Sequence, residues 1–286
     1  MTHDKYIAPK GLKETNGFRH GMKQNKAERR EKYEDKSMKT NIFTVQIADQ
    51  IDKIFDTITE CDDFVGFELL SNPSKMPEKA FNIPADKCKA GSNMVGLEDH
   101  ICHECYALPD KDEDGKFLSN RGGRYKLDVV QNSLNNRFNF ATMNPYFVAV
   151  MSYKIAKQIK KKFRWFDSGD LQSELMLDNI CKVARNTPHI KHWLPTKEWR
   201  LVERYITSGH KIPGNLCIRL SALKKNGKPP TKLAEKLGLV TSTVVTPDVY
   251  DKLSFKCPSS QQKNQCVDCE ACWSNKVKDV PYKYHR

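Results

Sequence analysis

The chain has 286 residues, room for one barrel-sized domain or two smaller ones. Hydrophobic residues at 38%, charged residues at 29% and the lack of any apolar run long enough to cross a bilayer exclude a helical membrane protein. A net charge of +13 favours an anionic partner, nucleic acid first.

Residues 1–41 read as a basic arm that includes Lys23, Lys26, Arg29 and Arg30 and shows no apolar core of a secretory signal. A barrel-like α/β domain is expected over 42–250, and a four-cysteine metal module over 251–286. Within the domain, 43–55 reads as a short helix and 64–70 as a strand. An irregular stretch rich in Pro, Gly, Asp and Lys follows over 71–123, and a loop of that length in a compact domain points to function. Asn144 and Pro145 then read as the start of a helix, in which Phe147, Met151, Ile155 and Ile159 recur at four-residue spacing and mark one buried face. Strands are predicted at 163–166, 189–194, 216–220 and 241–246. Helices are predicted at 173–185, 198–207 and 231–237, with Gly209 stopping the middle one.

Strand and helix alternate at least three times, which calls for a parallel sheet with helical crossovers. A partial or complete βα barrel of the TIM type is the expected architecture, with an open doubly wound sheet second. No glycine fingerprint for a dinucleotide and no phosphate-binding loop follows any strand. Besides the arm, lysines and arginines concentrate in 157–164 and 224–232; at a helix end, Lys160, Lys161 and Lys162 also suit the helix dipole.

Ten cysteines without a signal peptide argue against a disulfide framework and for a reduced, cytoplasmic setting. Seven of them form two groups, while Cys61, Cys181 and Cys217 are scattered and read as small buried apolar residues. In the first group, Cys102 and Cys105 have the two-residue gap that lets both sulfurs reach one metal site, and Cys88 folds back as a third ligand. Three thiolates leave one coordination position open, or filled by His100 or His103. In the second group, Cys257, Cys266, Cys269 and Cys272 close a site completely, as a 4Fe–4S cluster or as zinc.

The segment from Ser71 to Tyr125 that carries Pro73, Pro77, Pro84, Cys88, Gly91, Cys102, Cys105 and Gly123 resembles a phage-associated family named after a mycobacteriophage gene product eighty-eight. The likeness continues through Phe166–Asp170, Trp193–Lys197 and the terminal cysteines, and covers most of the chain from about residue 70. That resemblance implies an infected or host bacterial cell and carries no assigned activity. A looser resemblance is to radical S-adenosylmethionine enzymes, whose three-cysteine loop follows the first barrel strand and holds a 4Fe–4S cluster with one free iron. It implies that Ser168, Gly169 and Asp170 contact the amino group of S-adenosylmethionine and that Ser221 lies on a later strand facing this small-molecule cosubstrate. It also implies that the C-terminal cysteines form an auxiliary cluster. The usual motif is compact, whereas here thirteen residues separate Cys88 from Cys102, and the aromatic Tyr106 follows the last cysteine instead of preceding it.

In a βα barrel, polar residues at the C-terminal ends of strands face the active mouth, which selects Asp167, Ser168, Asp170, Thr196, Lys197, Arg219, Ser221 and Thr246. Asp167 and Asp170 suit an ammonium-orienting or proton-shuttling role; alternatively, Asp167 caps a helix starting near Leu171. Lys197 and Arg219 suit a carboxylate or phosphate. Tyr106 and Tyr125 either line the cysteine loop or pack, and Trp193 and Trp199 belong to the core. Two functions follow. One is a radical-type iron–sulfur enzyme acting on a nucleic acid or nucleotide; the other is a non-enzymatic nucleic-acid binder with structural zinc or iron–sulfur sites.

Overall fold

The computed structural model describes residues 55–108 and 123–284, so the basic arm and the helix expected over 43–55 lie outside the described residues. The first described element is a helix, α1 (Ile58–Val65), where a strand was expected a few residues later. A capping pattern sets it. The Thr57 side chain accepts from the Glu60 amide at 3.1 Å, and the Glu60 carboxylate accepts from the Asp56 amide at 2.8 Å. Gly66, at φ +78°, ends the helix.

Six strands follow: β1 (Ala80–Phe81), β2 (Lys162–Trp165), β3 (Lys191–Thr196), β4 (Leu216–Ser221), β5 (Val240–Val245) and β6 (Asp279–Lys283). All neighbouring pairs are parallel, and the sheet order is the chain order, with β1 and β6 at its two edges. A doubly wound sheet reverses its strand order at a switch point, and this one does not.

Every crossover is helical, as parallel strands require. Between β1 and β2 lie the short α2 (Lys89–Ser92), then α3 (Asp128–Met143) and α4 (Phe147–Gln158). The later crossovers carry α5 (Glu174–Asn186), α6 (Trp199–Thr207), α7 (Thr231–Leu237) and α8 (Pro247–Lys252). Predicted and observed elements from α4 to β5 agree to within two residues.

The period-two alternation of the strands sorts their side chains onto two faces. Phe163, Trp165, Leu194, Ile218 and Leu220 face the helices and form the main core. Trp193 and Val280 face the other way and pack with Cys257, Ala271, Cys272 and Trp273 of the C-terminal cysteine segment. His192 is fully buried among the helix-facing residues. The Trp165 indole donates to its Nδ1 at 3.2 Å, so Nε2 carries the proton and donates to Thr187 Oγ1 at 2.8 Å; Thr187 in turn donates to the Val183 carbonyl. Burial, with the charge of His189 adding to it, drives the imidazole pKa down to about 3, which keeps it neutral.

The C-terminal cysteines pack directly against the sheet. Residues Ile47–Arg286 form one compact unit, and the cysteine segment leads directly into β6, which pairs with β5 over its whole length. Arg219 fixes this arrangement. It is fully buried on β4, and its guanidinium donates to the carbonyls of Ala271, Cys272, Ser274, Val277 and Thr241. All five donors are used.

Candidate functional site at the carboxyl edge of the sheet

Because the strands are parallel, their C-terminal ends lie along one edge, and the cysteine loop runs across that edge. It leaves β1 through Asn82 and Ile83, turns at residues Ala85–Lys87, and is then pinned far along the sheet. The Ile101 amide donates to the Leu223 carbonyl at 2.9 Å, and the Lys225 amide to the Asp99 carbonyl at 2.9 Å, both on the segment after β4. Midway, the Ala90 amide donates to Glu198 Oε1 at 2.7 Å, just before α6. The described part of the loop is thus held at the ends of β1, β3 and β4.

Its shape brings Cys88 and Cys102 together around Gly91. A Cβ at residue 91 would sit 3.0 Å from Cys88 Cβ, 3.6 Å from Cys102 Sγ and 3.7 Å from Cys88 Sγ. Only glycine leaves that space clear. Cys105 is close enough to act on the charge of both other cysteines. Burial holds the Cys88 and Cys102 thiols above their ordinary range, with Asp170 adding to the rise at Cys88 and Lys197 opposing it at both. Lys197 also hydrogen-bonds Cys102. Burial pulls the Lys197 ammonium down, but Cys102, Asp170, Cys88 and Cys105 together outweigh it and leave the pKa raised. The Lys197 charge thus offsets part of the burial penalty on thiolate at Cys88 and Cys102. Among the described residues, no group of three or more His, Cys, Asp or Glu side chains is drawn closely enough to hold a metal ion as it stands. A cubic cluster is gripped from its corners, so its thiolates stand further apart than those around one ion. Three cysteines beside one lysine are the donor chemistry that such a group takes.

The two strand-end carboxylates differ in their surroundings. Asp170 is buried and saturated: Oδ1 accepts from the Leu171 amide at 2.8 Å and Thr196 Oγ1 at 2.6 Å, and Oδ2 from the Lys197 amide at 2.8 Å. It brackets the ends of β2 and β3 and sets the Lys197 backbone, so its place is positioning. Asp167 caps no helix; Ser173 does that for α5, accepting from the Met176 amide at 3.1 Å. The Asp167 carboxyl takes a hydrogen bond from Asn82, its Oδ1 is sealed from solvent with no partner, and burial raises its pKa against the opposing pull of Arg164.

Ser168 donates to the Ile83 carbonyl at 2.9 Å, and Gly169, at φ +79°, lets that strand approach. A Cβ at residue 169 would lie 2.2 Å from Ile83 Cγ1. Ser221 accepts from Ser242 at 3.2 Å near the end of β4. Arg219 is a correction to the sequence reading: with every donor turned to main-chain carbonyls, it cannot grip a substrate anion.

Cys257, Cys266, Cys269 and Cys272 line one pocket against Trp273. The Cys257 amide donates to the Pro281 carbonyl at 2.9 Å and the Cys266 amide to Lys75 at 2.8 Å, which tie this segment to β6 and to the stretch before β1. Burial lifts Cys272 to about 12, opposed by its 3.1 Å hydrogen bond with Tyr282. Cys61, Cys181 and Cys217 are buried thiols in the packing, as expected.

Three residues of this region were not singled out from sequence. Asn82 and Arg137 build the support of Asp167: Arg137 donates to Asn82 Oδ1 at 2.6 Å and to the Leu69 carbonyl at 3.0 Å. Arg164 lies 4.6 Å over the Trp193 ring. The arginine in the otherwise apolar stripe Leu134, Arg137, Phe140, Ala141 was the available signal for the first.

The basic patches divide. Lys162 is buried and pairs with Glu270 at 3.5 Å, whereas Lys224, Lys228 and Lys232 are exposed. No helix among the described residues is long and apolar enough to cross a membrane. One protein-family model, described as Gene product 88, matches residues 55–275. No curated protein and no solved structure matches the chain.

Proposed function

This chain belongs to the Gene product 88 family, and from that footing we propose that it is an iron–sulfur enzyme of the radical S-adenosylmethionine type, built on a partial βα barrel and acting on a nucleotide or nucleic acid. What supports the reading is the gathering of Cys88, Cys102 and Lys197, with Cys105 beside them, at the carboxyl edge of a parallel sheet in strict chain order.

Cys88, Cys102 and Cys105 would hold a four-iron cluster with one iron left for the cosubstrate; when bound, such a cluster supplies one-electron reduction. The protein's own part is positional. Lys197 stabilises thiolate at Cys102, and Asp170 holds Lys197 in place. Ser168, Gly169 and Ser221 shape the mouth, where Asp167 can orient an ammonium group. Cys257, Cys266, Cys269 and Cys272 would close a second cluster, or a zinc, against the sheet face that carries Trp193 and Val280. The exposed Lys224, Lys228 and Lys232 offer charge to a phosphate backbone.

Anaerobic purification with metal analysis tests this. A brown protein with about eight irons per chain is expected, together with cleavage of S-adenosylmethionine on reduction that Cys102→Ala abolishes. A colourless protein with about two zincs per chain would replace the enzyme reading with that of a nucleic-acid binder stapled by metal.

A further inference from the structure

Tyr282 stands on β6 opposite Val244 and packs on the sheet face of Trp193, the two ring centroids 6.5 Å apart. Its hydroxyl lies 3.1 Å from Cys272 Sγ, one of the four sulfurs that line the C-terminal pocket. The neighbours there are Trp193, Trp273 and Val280, among which a phenylalanine would pack as well. The hydroxyl is the part of the side chain that packing does not require, and it meets a sulfur.

The pocket itself has the character of a site for an anionic metal group. Four cysteines line it, and Gln262, on the same wall, keeps its Oε1 sealed without a partner. Positive charge stands around it. Arg219 donates to the carbonyls of Ala271 and Cys272, and the charges of Arg164 and Lys75 act on Cys266. A cysteine that binds metal has lost its proton, so its sulfur only accepts, and the phenol beside it becomes the donor.

We propose that Tyr282 donates to Cys272 Sγ in the metal-loaded site and, by drawing charge off that sulfur, raises the reduction potential of the second cluster. This rests on the iron–sulfur reading of that site and names the residue that sets its potential. An added electron makes the cluster sulfurs better acceptors, so the hydrogen bond stabilises the reduced form more than the oxidised one.

In the full-length chain carrying Cys102→Ala, iron is confined to the second site. Its potential is then read by anaerobic redox titration, followed by absorbance and electron paramagnetic resonance. Tyr282→Phe removes the donor and keeps the ring. That variant should retain about four irons per chain. At a fixed potential its ratio of reduced to oxidised cluster should fall about tenfold, which is about 59 mV for one electron. A fluorinated tyrosine at residue 282, a stronger donor of nearly the same shape, should move the potential the other way.

A potential that does not fall in Tyr282→Phe, or does not rise in the fluorinated chain, would overturn the proposal, as would zinc or no metal in the pocket. If Tyr282→Phe does not fold, the fluorinated chain decides alone. Cleavage of S-adenosylmethionine by the chain with Cys102 intact separates the two ideas. Both potential shifts without cleavage keep the role of Tyr282 and remove the enzyme reading, and cleavage without the shifts does the reverse.

Discussion

Replacing Arg219 with methionine removes a buried positive charge and all five of its hydrogen bonds at once. Methionine fills much of the volume but satisfies none of the carbonyls of Ala271, Cys272, Ser274, Val277 and Thr241. A bond to a charged donor contributes about 1.5–3 kcal/mol, and breaking a buried polar arrangement from one side costs about 3–5 kcal/mol. Some of these carbonyls have a second donor, the Ser274 amide to Ala271 at 3.3 Å and the Val277 amide to Ser274 at 3.4 Å, which tempers the loss. A cost of about 4 kcal/mol is therefore expected, a large share of the roughly 5–15 kcal/mol that holds a domain together. At 2–4 °C per kcal/mol for a chain of this size, Tm should fall by about 8–16 °C. Arg219→Lys should recover little, because an ammonium cannot fork to five acceptors. Chemical denaturation with parallel melting curves measures this directly. A methionine variant with an unchanged midpoint would refute the clamp and restore Arg219 as a candidate for anion binding.

Gly169→Ala should cost about 2–4 kcal/mol in urea unfolding, since the new methyl meets Ile83 at 2.2 Å and the backbone stands at φ +79°. Gly66→Ala, at φ +78° with open space around it, should cost only about 1 kcal/mol and serves as the control. His192 has its folded pKa depressed to about 3 from an ordinary 6.5, so its contribution is complete above pH 6.5 and is lost as pH falls towards 3. Stability should drop by up to about 1.4 kcal/mol per pH unit in that window, and His192→Gln should flatten the slope measured by denaturation at pH 7 and pH 5. Cys272→Ala should lower bound iron from about eight to about four per chain while S-adenosylmethionine cleavage at the other site persists; loss of all iron would show the sites to be interdependent.

The regular half of the fold is legible from α4 onward because its strands are apolar runs and its helices keep a clean period, as in Phe147, Val150, Met151 and Ile155. The first third is not. β1 is two residues long in a stretch of Pro, Lys and Glu, too short for any alternation to show. The apolar residues 64–70 read as a strand, while the cap at Thr57 and Glu60 that sets α1 lies upstream of them. α3 carries four asparagines, poor helix formers, and turns an arginine inward, so its stripe is broken in sequence and complete only in space. The cysteine spacing located both thiol groups. It could not reveal that the second group is built into the sheet, because the link is Arg219, whose identity alone does not say whether its donors meet substrate or main chain.

Strict strand order also has a consequence for synthesis of the chain. From β2 onward each new strand can add to the edge left by the previous one, whereas β1 and β2 must meet across a register offset of 84 residues, Ala80 to Arg164. Arg219 breaks that economy: four of its acceptors, in residues 271–277, are translated 52 to 58 residues later. At about 5–20 residues per second, the guanidinium waits roughly 3–12 s for them. Until they arrive, the Arg219 guanidinium lacks four of its five acceptors, and the thiols of Cys257 to Cys272 reach their final surroundings as the last strand docks. The second cysteine group and the last strand therefore take their places together, at the end of synthesis.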